Sequence, residues 1–210
     1  MFTGIIETVG TIKNVSTKSG VKSLSIQAPE ICDDLSLGDS VSVNGVCLTV
    51  TERNDSLFKV EVITGTISVT YLENLTVNDQ VNLERAMLTN GRFGGHFVSG
   101  HVDGKGIIKR ITKRNDEWLI EINVDESLLN QMIDKGSITV DGVSLTIFKL
   151  NQNSFEIHLI PETRLRTIFV NKKQGDSVHI ETDLLFKYVQ KITNQNNSQL
   201  SQEKLLNFGF

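Results

Sequence analysis

The chain has 210 residues, 25 acidic against 21 basic, and a formal net charge of −4. That length fits one large domain or two of about 100 residues each. No basic stripe marks a nucleic-acid binder, the two cysteines cannot complete a four-ligand zinc site, and no apolar run reaches the roughly 20 residues of a membrane span.

Met1 to Ile6 carries no basic leader, so a reducing cytoplasm is expected, with Cys32 and Cys47 as free thiols. Ser40 to Val43, Leu48 to Thr51 and Phe58 to Val62 alternate polar and apolar residues, the pattern of half-buried strands. Asn44-Gly45 and Asp141-Gly142 are the residue pairs that two-residue hairpin turns require. Arg53 to Ser56 and Asn151 to Ser154 are further turns, and Asn90 to Gly95 is a glycine-rich linker. Glu126 to Ile133 predicts a helical piece with Leu128, Leu129, Met132 and Ile133 on one face. Leu184, Leu185, Tyr188, Val189 and Ile192 recur at helical spacing, a stripe that either packs on its own barrel or meets a neighbouring subunit. Asn194 to Gln199 is polar and expected to be mobile. Short strands with frequent turns predict a small barrel or sandwich.

The chain repeats itself. Asn44 to Val50 matches Asp141 to Ile147, and Val81 to Glu84 matches Val178 to Glu181, both 97 residues apart. Gly4 to Glu7 matches Gly100 to Asp103 at an offset of 96. One copy runs from about Met1 to Leu88 and the other from about Gly95 to Leu185. Domains at 1–94 and 95–186 are therefore expected, with a helix and tail over 187–210.

P-loop, nucleophile-elbow, His-Glu-x-x-His and dinucleotide-binding spacings are all absent, so polar residues at matching places in both copies become the candidates. Cys47 and Thr49 pair by symmetry with Ser144 and Thr146; each pair alternates on one strand and shares a face. They are either small residues fitted to a tight barrel or groups facing a ligand. His101 follows Gly100 opposite Ile5 and is either structural or a proton shuttle. His96 reads as structural. In His158-Leu159-Ile160-Pro161-Glu162-Thr163, Pro161 removes a backbone donor at a strand end. That marks either a plain strand-to-helix corner or a place that leaves backbone groups for a ligand.

Met1 to Glu7, Asn44 to Thr51, Val81 to Ala86, Gly94 to Gly104, Asp141 to Thr146 and His158 to Thr163 stand in one order over about residues 1–190. Together they resemble the riboflavin synthase alpha-chain family. The resemblance implies an all-β fold of two tandem homologous six-stranded Greek-key β-barrels plus a C-terminal α-helix. It implies a transferase that moves a four-carbon unit between two molecules of 6,7-dimethyl-8-ribityllumazine. The products are riboflavin and 5-amino-6-(D-ribitylamino)uracil, and neither cofactor nor metal is called for. It further implies a cytoplasmic homotrimer whose active site lies between the first barrel of one subunit and the second barrel of the next. The C-terminal helix then serves subunit contact, and lumazine synthase is a further partner it raises.

Residues carried over by this resemblance as substrate contacts are, in the first barrel, Gly4, Ile5, Ile6, Cys47, Leu48, Thr49, Glu61, Val62, Ile63, Thr64, Gly65 and Thr66. In the second they are Gly100, His101, Val102, Lys135, Ser144, Leu145, Thr146, Ile160, Pro161, Glu162, Thr163, Arg164 and Leu165. Phe2, Ser40, Cys47, His101, Ser144, Thr146 and Asp183 match positions tied to activity. Cys47, or a water beside it, is the expected nucleophile towards C7 of one lumazine; His101, Ser144 and Thr146 are expected to orient substrate and move protons. The chain departs from the family pattern at Thr64-Gly65-Thr66, where Gly65 replaces the carboxylate that Glu162 supplies in the second copy, and again at Thr163 to Thr167. The alternative reading is a non-catalytic lumazine- or flavin-binding antenna protein; a purely structural two-barrel adaptor would not need matched polar residues.

Overall fold

The structure is a computed structural model and describes residues 1–114 and 117–197. Twelve strands form two closed antiparallel barrels. The first holds β1 (Thr8–Lys18), β2 (Val21–Gln27), β3 (Ser40–Val43), β4 (Val46–Arg53), β5 (Leu57–Val62) and β6 (Gln80–Arg85), in the order β1-β2-β5-β4-β3-β6. The second holds β7 (Gly104–Arg114), β8 (Glu117–Asn123), β9 (Ser137–Val140), β10 (Val143–Leu150), β11 (Ser154–Leu159) and β12 (Ser177–Thr182), and closes in the same order, β7-β8-β11-β10-β9-β12. Among the described residues, closure leaves no sheet edge unpaired.

The short helices are α1 (Pro29–Cys32), α2 (Thr64–Val69), α3 (Glu126–Leu129) and α4 (Pro161–Leu165); α5 (Leu184–Asn197) is longer. The remainder of the polar stretch that begins at Asn194 lies outside the described residues.

Alternation along the strands fills each barrel with one core. Leu24, Ile26, Val41, Phe58, Val60 and Leu83 are fully buried in the first, and Ile120, Ile122, Ile138, Phe155, Ile157 and Ile180 in the second. Burial of each such side chain contributes about 1.5–3 kcal/mol. Phe58 and Phe155 stand 97 residues apart, at the repeat's own spacing, so the two cores are packed alike.

The hairpin turns form as expected. Asn44 and Gly45 have φ of 47° and 84°, and Asp141 and Gly142 have 47° and 82°, the left-handed pair that joins β3 to β4 and β9 to β10. The two turns meet where the barrels touch. A Cβ on Gly45 would lie 2.7 Å from the Gly142 nitrogen, so only glycine permits this approach.

A buried polar network surrounds the contact. Tyr71 Oη donates to Asp141 Oδ1 at 2.8 Å and accepts from Asn44 Nδ2 at 3.0 Å. Asn82 Nδ2 donates to the Asp141 carbonyl at 2.8 Å, and Lys172 Nζ lies 2.9 Å from Asp141 Oδ2. His179 is stacked on Tyr71 at 3.9 Å. Its Nε2 accepts from the Tyr71 amide at 2.8 Å, so its proton sits on Nδ1, 2.7 Å from the Asn44 carbonyl.

One expectation is corrected. The helix expected over Glu126 to Ile133 ends at Leu129; Leu128 and Met132 are buried, but Ile133 is 58% exposed because the chain turns away. The glycine-rich stretch Asn90 to Gly95 carries no strand or helix, and pairing with the start of the chain begins just beyond it, where the His96 amide donates to the Thr3 carbonyl and Val98 pairs with Phe2.

Candidate functional site

Each barrel's opening segment crosses to the other barrel. Glu84, at the end of β6, accepts from the amide and hydroxyl of Thr3 at 2.6 and 2.7 Å and from the Gly4 amide at 2.9 Å. Glu181, its counterpart in β12, does the same for Ser99, at 2.7 and 2.7 Å, and for Gly100 at 3.0 Å. Burial pushes both carboxyls up, and these hydrogen bonds pull against it. So held, the Gly4 carbonyl accepts from the Ser144 amide of β10 at 2.7 Å, and the Gly100 carbonyl accepts from the Cys47 amide of β4 at 2.9 Å. Ile6 consequently packs on the second core and Val102 on the first.

This regroups the candidates. Gly4, Ile5 and Ile6 lie with Ser144 of the second barrel, and Gly100, His101 and Val102 with Cys47 of the first, the reverse of the expected assignment. The offset between copies could not reveal the exchange, because the tertiary pairing of the two opening segments is not written in local pattern. Both crossings need glycine. Gly4 and Gly100 have φ of 78° and 80°, and a Cβ on either would sit 2.6 Å from the Cβ of Ser144 or Cys47.

On β4, Cys47 is half-buried and Thr49 exposed on the outer face, while Leu48 points into the first core. On β10, Ser144 is half-buried and Thr146 exposed, and Leu145 leans on the second core. Each barrel thus offers an outer shelf of one small polar side chain and one threonine under a crossing segment. Glu61, Ile63, Thr64 and Gly65 are exposed and Thr66 half-buried beside the first shelf, whereas Val62 is fully buried in the core. His101 is exposed at the first shelf.

The second shelf opens into a cleft of about 270 Å³ bounded by Gly4, Ile5, Ile6, Ser144, Glu162 and Thr163. The corner here is an ordinary one: Pro161 starts α4, and Glu162 accepts from Arg166 Nε at 2.8 Å. It also forms one wall of the cleft. Ile160 is 62% and Leu165 72% exposed at either end of α4, and the Arg164 guanidinium lies over Trp118 at 5.1 Å.

The remaining candidates are spread out. Phe2 is fully buried beneath Gly100 and wedges the crossing segment in place. Ser40 lines a wider cleft of about 700 Å³ with Ile5, Arg85 and Met87; Arg85 there is tied to Glu7 and Asp34. Lys135 is exposed, with Nζ 3.8 Å from the Phe148 ring centroid and donating to the Phe148 carbonyl at 3.0 Å. Asp183 Oδ1 accepts from the Leu185 amide at 2.9 Å, capping α5.

One residue is more closely engaged than its sequence suggested. His96 is 9% exposed, with Nδ1 2.7 Å from Ser144 Oγ and Nε2 3.1 Å from Thr139 Oγ1. Burial pushes its pKa down, and the Asp183 charge pulls it back up. Nothing in the spacing of His96 pointed to Ser144, 48 residues later.

No group of three or more metal-ligating side chains occurs among the described residues. The chain matches the lumazine binding domain twice, over residues 3–86 and 99–183. It is 46% identical over 205 residues to a riboflavin synthase of Bacillus subtilis (strain 168), covering 98% of this chain and 95% of that one. It is 42% identical over 215 residues to a riboflavin synthase of Actinobacillus pleuropneumoniae, covering all of both. The crystal structure of LumP complexed with riboflavin shares its fold, with a TM-score of 0.81, 24% identity, and coverage of 87% of this chain and 99% of that one.

Proposed function

The chain belongs to the riboflavin synthase family, and we propose that it converts two molecules of 6,7-dimethyl-8-ribityllumazine into riboflavin and 5-amino-6-(D-ribitylamino)uracil. The observation that carries this reading is the pair of matched shelves, Cys47 and Thr49 under Gly100 and Ser144 and Thr146 under Gly4. A reaction between two identical molecules calls for two similar seats. One ring donates a four-carbon unit and the other receives it, so catalysis rests on orientation and proton movement.

Within that reaction, Cys47 or a water beside it adds to C7 of one lumazine. Ser144, Thr146 and His101 orient the rings and exchange protons with the acidic C7 methyl. The carried-over segments 61–66 and 160–165 are the flanks of the two seats. Cysteine at one seat and serine at the other gives the two bound rings different chemistry.

The working unit is a homotrimer in the cytoplasm, with the first barrel of one subunit facing the second barrel of the next. The exposed stripe of α5 supports this: Leu185, Tyr188, Val189 and Ile192 are each about 60% exposed in the single chain. Lumazine synthase, which supplies the substrate, is a partner for this assembly. No described helix is long and apolar enough to cross a membrane.

Incubation of the purified chain with 6,7-dimethyl-8-ribityllumazine tests the reading. Growth of riboflavin's visible absorbance as lumazine is consumed is the expected result. Tight binding with an unchanged spectrum would instead make the chain an antenna protein.

A further inference from the structure

The second barrel places a lysine where the repeat calls for glycine. Lys135 has φ of 65°, a left-handed conformation that strains any residue with a Cβ. Its counterpart 97 residues earlier is Gly38, with φ of 91°. The two turns are otherwise built alike: the Lys135 amide donates to the Ile147 carbonyl and the Gly38 amide to the Val50 carbonyl, both at 2.9 Å. The Lys135 side chain is exposed, so no core packing offsets the strain. Ile147 stands between Thr146 and Phe148, which brings Lys135 alongside the outer shelf of β10.

What the strained lysine meets is a column of side chains. Its Nζ lies 3.8 Å from the Phe148 ring centroid and donates to the Phe148 carbonyl at 3.0 Å. His158 stacks on the same ring, with centroids 3.9 Å apart and planes 22° from parallel. Two groups this close to one centroid cannot share a face, so Phe148 is held between ammonium and imidazole. His158 Nδ1 lies 2.6 Å from Glu117 Oε1, which fixes the imidazole in turn. Phe148 sits where the β10–β11 register shifts, a bulge that re-aims a side chain. In the first barrel the matching residues are Thr51 and Glu61, both exposed and neither aromatic. Lysine, phenylalanine and histidine thus replace glycine, threonine and glutamate together, at one place on one barrel.

We propose that Phe148, backed by His158 and Glu117, is a positioning residue that holds the Lys135 ammonium at the edge of the second seat. There the ammonium faces the bound pteridine and stabilises the negative charge that gathers on the ring as its acidic C7 methyl exchanges a proton with the groups already assigned to that task. Lys135 keeps its own protons throughout, so its part is electrostatic. The aromatic face and the Phe148 carbonyl hold one side of the ammonium and leave N–H donors on the other for the ligand. A lysine on a free stem would lose rotamer freedom each time substrate bound; here that ordering is already in place. This deepens the proposed function and rests on it, and it adds a second asymmetry between the seats: the one with Ser144 has a fixed cation, the one with Cys47 has Gly38.

The test is a variant set, Lys135→Gly, Phe148→Leu, Phe148→Tyr and the pair Lys135→Gly with Phe148→Leu, with kcat, KM and thermal midpoint measured for each. Lys135→Gly copies the first barrel and relieves the left-handed strain, so the parent's thermal midpoint is expected to be kept. Its kcat is expected to fall at least about tenfold with KM changed less than about threefold, the mark of an interaction made mainly in the transition state. Phe148→Leu keeps an apolar side chain without a π face and is expected to lower kcat about fivefold, the upper end for a cation–π contact at an exposed site. Phe148→Tyr keeps the face and is expected to stay within about twofold of the parent. The pair is expected to fall no lower than Lys135→Gly alone. A ring that only supported the fold would lower turnover equally in the Lys135→Gly background. That result, parental kcat in Lys135→Gly, or a loss in Phe148→Tyr as large as in Phe148→Leu would each overturn the proposal. Should Phe148→Leu unfold, His158→Leu, which removes the imidazole from the far face of the ring, takes its place in the same cycle. Absence of conversion by the unmodified chain would instead remove the function itself, and the positioning role with it.

Discussion

At single residues, backbone conformation and empty space separate substitutions that look alike in the sequence. Gly100 and Gly38 both have positive φ, 80° and 91°, but a Cβ on Gly100 meets Cys47 at 2.6 Å, while one on Gly38 meets nothing within 4 Å. Gly38→Ala is therefore expected to cost only the left-handed penalty, about 1 kcal/mol. Gly100→Ala adds overpacking and is expected to cost about 3 kcal/mol and to depress turnover by displacing Cys47. Urea denaturation of both variants, with the lumazine assay on each, checks the contrast; equal costs would mean that the crossing segment yields freely. Gly65 in α2 is the opposite case. It has no positive φ and open space around it, so Gly65→Glu is expected to stabilise the fold by about 0.5 kcal/mol through helix propensity. It also restores the carboxylate that Glu162 places at the second seat. Tighter riboflavin binding in a fluorescence titration is expected, and unchanged binding would place position 65 outside the first seat.

At the level of elements, α5 is the piece whose burial the single chain leaves incomplete. Apolar side chains about 60% exposed along one stripe stand to contribute about 1 kcal/mol each when covered. Tyr188→Glu with Val189→Glu is expected to reduce the proposed trimer to monomers, read by sedimentation velocity, while leaving the thermal midpoint of the barrels nearly unchanged. A monomeric parent chain would contradict the assembly outright. The elements also differ in how legible they were. Both hairpin turns, the alternating strands and the α5 stripe could be read directly, because each depends on residues within a few positions of one another. The repeat offset then implied two like domains, and the family resemblance made each of them a barrel. The exchange of opening segments could not be read, because Glu84 binding Gly4 and Ser144 binding the Gly4 carbonyl join residues 80 and 140 positions apart. The same holds for His96 and Ser144. The candidate residues could be singled out one by one, but which of them lie together is decided by tertiary pairing alone.

For the molecule as a whole, the contact between barrels makes stability depend on acid in a defined window. His179 is 1% exposed, stacked on Tyr71, and committed as a neutral ring by the hydrogen bonds at both nitrogens. Burial, opposed by Asp141, lowers its pKa from 6.5 to about 4. Between those values the unfolded chain binds a proton that the folded chain refuses. The contribution is thus fully present above pH 6.5 and is lost as pH falls towards 4. Its size is roughly 3 kcal/mol, from about 1.4 kcal/mol per pKa unit. The carboxyls of Glu84 and Glu181, pushed up by burial, work in the other direction and favour the folded state at lower pH, so the raw pH profile mixes the two. Replacing His179 by asparagine, the residue at the matching position 82 of the first barrel, separates them. Unfolding free energies of parent and His179→Asn chains are compared at pH 7 and pH 4.5 by urea denaturation. The parent is expected to lose more stability than the variant over that interval, by roughly 2–3 kcal/mol. Parallel losses would mean that His179 takes up its proton without disturbing the join between the barrels, and the acid sensitivity would then belong to carboxylates held below their usual range, such as Glu7 beside Arg85 and Glu121 beside Lys109.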